Sequence, residues 1–143
     1  QRTDAVKVTN TATGNLNTGV ATFNNFTTTD ILGSTLGQHT FATNGITPNY
    51  TGKARIDFSI ELAGNATRAT VGFRWAHNGN DGPWIRPTYI RNTSGHNESS
   101  ATISTVINVV AGQPIQIEHD NFAGGGTVTS PGNGVEFVIQ RKA

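Results

Sequence analysis

The chain contains no cysteine and no methionine, and only 13% of its residues are charged. Without cysteine there can be no disulfide scaffold, zinc–thiolate site or cysteine nucleophile, while the redox compartment stays open. Aromatics make up 8% and apolar residues 34%, below the globular average, and no apolar stretch approaches the ~20 residues of a helical membrane span. Neither charge sign dominates. The formal net charge is +1 with the basic residues scattered singly, which gives no electrostatic reason to expect nucleic acid or an anionic membrane as partner. No secretory signal is visible. A chain beginning Gln1-Arg2 rather than with methionine reads as processed, trimmed or excised from something longer.

What remains is rich in Thr, Asn, Ser and 17 Gly, a mixture of β-branched polar residues and turn-formers that suits short strands better than helices. With 143 residues the chain makes one domain, large enough to bury about two-thirds of its unfolded surface. The plainest strand is "YTGKARIDFSIEL", residues 50–62, in which Ala54, Ile56, Phe58, Ile60 and Leu62 alternate with Lys53, Arg55, Asp57, Ser59 and Glu61. It has one apolar face and one charged face.

Further strands are expected at 19–26, 39–43, 67–77, 84–91, 100–110, 115–119 and 135–142, with a short one near Val128. Turns at Asp30, Gly33 and Gly37, at 63–66, 78–83, 92–99 and 111–114 punctuate them. "AGNA" (63–66) reads as a hairpin making 67–77 the antiparallel partner of 50–62. Arg55, Asp57 and Glu61 with Arg68 and Arg74 would then form cross-strand ion pairs on the wet face. Pro87 puts its segment at an edge or bulge. About eight to ten strands with no substantial helix indicate an all-β antiparallel sandwich or jelly roll. Residues 1–19 are polar, with Val6, Val8 and Leu16 as their apolar anchors. They read as an extended N-terminal arm before a domain over 20–143.

Several strands are apolar on both faces. Val106 and Val110 oppose Ile103, Ile107 and Val109; Trp84 and Ile90 oppose Ile85 and Tyr89; Val138 opposes Val135, Phe137 and Ile139. A second apolar face needs cover, from the chain's own loops or arm, or from another subunit. Val106, Val110, Trp84, Ile90 and Val138 are therefore the interface candidates.

Reactive chemistry is sparse. His39, His77, His96 and His119 show no metal-ligand spacing. The turn with His77, Asn78, Asn80 and Asp81 lacks the carboxylates of a calcium loop. Asp57 and Glu61 on one strand stand about 13 Å apart at strand rise, too far for a glycosidase pair. No serine has a nucleophile-elbow context, and the Gly-rich stretch at 121–128 has neither the lysine nor the helix of a phosphate loop. No catalytic residue, metal or cofactor is expected. Five N-x-S/T triplets, starting at Asn25, Asn49, Asn65, Asn92 and Asn97, read as compositional. Trp84, Tyr89 and Trp75 are candidates for stacking on sugars, or for filling the core.

The order of segments resembles the jelly-roll modules of the tumour-necrosis-factor and complement-C1q type, especially those of bacteriophage structural proteins. "FATNGITPNYTGKARIDFSIEL", "VGFRW", "VINVVAGQPIQIEH" and "GVEFVIQRK" carry the resemblance, which runs from about Val20 to Arg141. Ala54 stands where such modules often have Tyr or Phe, and Gln113 where Asp is common. The resemblance implies a homotrimer with aromatic and aliphatic residues along its three-fold axis, serving as a capsid decoration, head fibre or tail-fibre tip on the virion surface. Its partners would be its own copies and, through the arm residues Val6, Val8 and Leu16, other virion proteins. The loops at 78–84, 92–99 and 121–134 would face outward. Asn78, Asn80, Asp81, Trp84, His96 and Asn97 are then the candidates for contact with a host-surface glycan or receptor. The alternative is a monomeric carbohydrate-binding module with Trp84 and Tyr89 in a groove.

Overall fold

The computed structural model describes residues 5–30, 38–65, 68–87, 89–91 and 95–142, the side chains of 28–30 excepted. The turns expected at Gly33 and Gly37 and the triplets starting at Asn65 and Asn92 reach outside the described residues. Twelve strands and no helix occur among those described. They are β1 (Ala5–Asn10), β2 (Ala21–Thr22), β3 (Phe26–Asp30), β4 (His39–Ala42), β5 (Gly45–Pro48) and β6 (Gly52–Gly64). β7 (Ala69–His77), β8 (Asn80–Asp81), β9 (Glu98–Val109), β10 (Ile115–Gly124), β11 (Val128–Thr129) and β12 (Val135–Lys142) follow.

Two antiparallel sheets form the sandwich. β6 is the spine of sheet one, with β9 along one edge from Gly52↔Val109 to Ala63↔Glu98 and β12 along the other from Lys53↔Lys142 to Ile60↔Val135. β11 continues the β12 edge, and β1 then β3 extend the sheet beyond β12. Sheet two runs β4–β5–β10–β7–β8, with β2 also beside β10. Residues 84–91 touch the β7 edge through the bridges Phe73↔Ile85 and Ala69↔Ile90.

The alternation in 50–62 holds: Ala54, Ile56, Phe58, Ile60 and Leu62 are buried, while Lys53, Arg55, Ser59 and Glu61 are exposed. The hairpin expected between 50–62 and 67–77 does not form. β6 pairs with β9 and β12, whereas β7 pairs with β10 in the other sheet. Two strands with one apolar face each satisfy the same pattern whether they lie edge to edge or face to face, and here they face each other. The expected ion pairs from Arg74 to Asp57 and Glu61 are replaced accordingly. Arg74 binds Glu118 at 2.8 Å and Asp81 at 3.5 Å on sheet two.

Residues 5–19 are not a detached arm. β1 is an interior strand between β12 and β3, and Val6, Val8 and Leu16 are 1%, 0% and 4% exposed. Polar Asn10 completes this strand from within: its Oδ1 accepts the Val135 N–H at 3.0 Å, and its Nδ2 donates to the Pro131 carbonyl at 3.2 Å. Thr9 Oγ1 donates to the Val135 carbonyl at 2.6 Å. The polar residues that made the segment resemble an arm thus satisfy buried backbone groups.

Buried His119 packs near Phe73, ring centroids 6.5 Å apart. Desolvation lowers its pKa below the ordinary imidazole value, opposed in part by the Leu16 backbone hydrogen bond and the Asp120 charge. The unfolded chain takes up a proton near pH 6.5, where the folded chain still resists it. The unfolded state therefore binds more protons as pH falls, and folding stability declines below about pH 6.5. Thermal melts between pH 7.5 and 5 should show this decline, with a shallower slope for His119→Phe; equal slopes would rule His119 out as a cause. In urea, Asn10→Ala should lose about 1–3 kcal/mol by stranding the Val135 amide. Deletion of residues 1–12 should abolish the cooperative transition, whereas a true arm could be removed without effect.

Candidate functional site

The outward face of sheet one is mainly polar. Register sets Lys7, Val138, Asp57 and Ser104 in one row, and Gln140, Arg55 and Val106 in the next. Asp57 is held on several sides: Arg55 Nε donates at 2.9 Å, Arg55 Nη2 at 3.3 Å and Ser104 Oγ at 2.6 Å. Burial raises its pKa, but the hydrogen bonds from Ser104 and Arg55 and the Arg55 charge more than offset this, and the net shift is downward. A carboxylate so held stays ionised and has its lone pairs engaged, which suits a surface clasp and not a general acid. Lys7 pairs with Glu136 at 3.0 Å on the same face. Among the described residues no group of three or more His, Asp and Glu is placed to hold a metal.

The five interface candidates divide. Val106 and Val110 remain 46% and 40% exposed, and Val138 is half-buried among the polar rows; nothing in the described chain roofs over the first two. Ile90 is corrected: it is 1% exposed and belongs to the core. Trp84 stands on the opposite side of the molecule, beside Arg74 of sheet two. Thus three valines share a surface, and the expected file of aromatic residues is absent from this face.

Val110 is anchored by a residue that spacing alone did not mark. His77 is buried; its Nε2 accepts the Val110 N–H at 3.0 Å, and its Nδ1 lies 3.1 Å from the Pro114 carbonyl. A carbonyl only accepts, so the neutral tautomer with its proton on Nδ1 satisfies both contacts. Beside this edge, Trp75, Pro83 and Ile85 of sheet two and Thr102–Thr105 of β9 enclose an open cleft of about 310 Å³.

The outward-loop candidates do not converge. Asn78, Asn80 and Asp81 lie on the β7–β8 turn, with φ +49° at Asn78 and +79° at Gly79. That turn adjoins the Gly52 end of the sandwich, where Val110 meets His77. His96 and Asn97 lie at the Gly64 end, where Gly64 N–H donates to the Asn97 carbonyl at 2.9 Å. The two groups mark opposite poles, so they cannot belong to one contact site.

Sheet two carries a different outer surface. Trp84 and Phe122 meet edge to face with centroids 5.2 Å apart. Arg74 lies over Trp84 at 4.3 Å, Arg86 over Phe122 at 4.1 Å and Arg68 over Tyr89 at 5.9 Å. Two backbone irregularities assemble this group. Phe122 is the extra residue where the β7–β10 register shifts between Asn121 and Ala123. Between the bridges Phe73↔Ile85 and Ala69↔Ile90, the edge segment advances five residues (90 − 85) against four in β7 (73 − 69). That extra residue turns Ile85 and Ile90 both inward and leaves Tyr89 46% exposed. Strict alternation from Trp84 had predicted the reverse for Ile90.

No protein-family model matches the chain, and no curated protein matches it by sequence. Solved structures do match in fold. The PRD1 phage vertex protein P5 superposes with TM-score 0.66 at 14% identity, covering 100% of this chain and 99% of that one. Eiger TNF from S. frugiperda gives 0.64 at 10% identity, covering 97% and 92%. Murine APRIL at pH 8.0 gives 0.62 at 9% identity, covering 96% and 98%. The chain has the TNF-type jelly-roll fold over its whole length, the architecture that the resemblance in its sequence implied.

Proposed function

We propose that this chain is a non-enzymatic structural protein of a virion surface, assembling as a jelly-roll trimer that decorates a capsid or caps a fibre. The observation carrying the reading is the end-to-end likeness in fold to a phage vertex protein. A second support is the set of uncovered valines, Val106 and Val110, with half-buried Val138 beside them. Copies packing along the β9 edge would bury these side chains and close the cleft by Trp75 and Ile85. The Arg55–Asp57–Ser104 clasp would lie within or beside that contact, giving it a polar component.

Attachment to the particle through Val6, Val8 and Leu16 is not part of this reading, since those side chains are core. The choice between capsid and fibre turns on where antibodies against the chain label intact particles from its source. Labelling of neither would remove the virion from the proposal.

Sedimentation at micromolar concentration should give three times the chain mass. Val106→Asp and Val138→Asp should each weaken association by about ten-fold or more, the scale of burying one valine. Their effect on the fold itself should be small, because neither side chain is in the core. A stable wild-type monomer at that concentration overturns the assembly.

A further inference from the structure

The arginine–aromatic strip on the outer face of sheet two has no part in the assembly just proposed, and a monomer would carry it equally. One significant cation–π pair per 70–80 residues is ordinary, so a chain of this length should have about two. Here three fall on one face. The backbone is shaped to allow it. Gly72 lies under the Phe122 ring, and a Cβ at that position would collide with it.

We propose that this strip binds an acidic saccharide, a glycan whose sugars bear carboxylate, sulfate or phosphate groups. Arg74 is already neutralised by Glu118 and Asp81. Arg86 and Arg68 make no ion pair among the described residues, and their partners are the rings of Phe122 and Tyr89. A ring partner, unlike a carboxylate, leaves a guanidinium with its charge uncompensated and its N–H donors without an anionic acceptor, available for bidentate contact with an oxyanion. The exposed part of Tyr89 supplies apolar surface on which the C–H face of a sugar ring can rest.

The neighbouring carboxylates decide between a saccharide and a nucleic acid. Glu118 and Asp81 offset Arg74 and so leave the strip too little positive charge to favour a chain with a phosphate at every unit. Their oxygens accept hydrogen bonds, which sugar hydroxyls can donate and phosphodiesters cannot. Arg86 follows the Phe73↔Ile85 bridge and so stands level with Gly72. Arg68, just before β7, is four residues further along, about 13 Å at strand rise, so the two unpaired arginines suit an extended chain with spaced anions.

The test is binding of the intact protein to an array in which each carboxylated, sulfated or phosphorylated oligosaccharide is printed beside its neutral parent. Anionic members should bind at least about ten-fold more tightly than their parents, and Arg86→Gln and Arg68→Gln should each remove about ten-fold, the scale of one charge-assisted contact. Gly72→Ala, which displaces Phe122, should also weaken binding. Unchanged melting temperatures and sedimentation for the two Arg→Gln variants would separate this result from failure of folding or of assembly. Equal binding to anionic and neutral members, no binding to any member, or binding indifferent to both Arg→Gln changes would overturn the proposal. So would tighter binding to single-stranded oligonucleotides than to the acidic saccharides.

Discussion

Five of the seven phenylalanines form one continuous run through the sandwich, and the rest of the structure is arranged around it. Phe23 meets Phe26 at 4.7 Å, Phe26 meets Phe137 at 5.1 Å, Phe137 meets Phe58 at 5.8 Å, and Phe58 meets Phe73 at 6.0 Å. The run starts where the chain passes from β2 in sheet two to β3 in sheet one, and returns to sheet two at β7. Phe23 N–H donates to the Ile117 carbonyl at 2.7 Å and Phe26 N–H to the Thr43 carbonyl at 3.0 Å, so backbone bonds fix the crossing that the rings pack. Truncating one such ring costs about 3–5 kcal/mol, a large share of the 5–15 kcal/mol by which domains are stable. An interior filled this way leaves both outer faces free to carry polar surface chemistry.

The parts of this fold that the sequence revealed are those where side-chain period and burial agree. β6 shows strict alternation and has one buried face, and β12 follows the same rule through Val135, Phe137 and Ile139. β1 was hidden because Thr9 and Asn10 look solvent-seeking until their buried backbone partners on β12 and its preceding turn are known. Sheet membership was hidden too, since alternation says which face is dry and not which strand lies alongside. The outward valines, Val106 of β9 and Val110 just after it, were legible, being apolar at the wrong parity. Of the strip on sheet two, Trp84 and Tyr89 were legible as stacking candidates, but their arginine and Phe122 partners were not. These depend on two single-residue irregularities, at Phe122 and between Ile85 and Ile90, that break the period on which parity arguments rest.

The two outer faces are chemically distinct and point away from each other. Sheet one offers small apolar side chains beside the Arg55–Asp57–Ser104 clasp, the surface proposed to meet copies of itself. Sheet two offers rings capped by arginines, two of which have no ion pair among the described residues. A chain that assembles as proposed through sheet one would leave sheet two open to ligand.

The strand pair β7–β10 joins these faces. Pointing inward and toward the chain end, His77 of β7 pins the Val110 amide and the Pro114 carbonyl, and so fixes the turn from which the β9 edge departs. Pointing outward, Arg74 of the same strand clamps Glu118 of β10 and covers Trp84. A continuous ladder from Ile115↔His77 to Asn121↔Val71 links them, so the positions of strip and assembly edge are set by one rigid element. In a trimer that rigidity would hold three copies of the strip in fixed relation on one particle. Linked sites gain about 10²–10⁴ in avidity without any new contact when their spacing permits simultaneous engagement. Weak binding at each strip is then sufficient for firm attachment, and the stiffness of β7–β10 is what would convert one into the other.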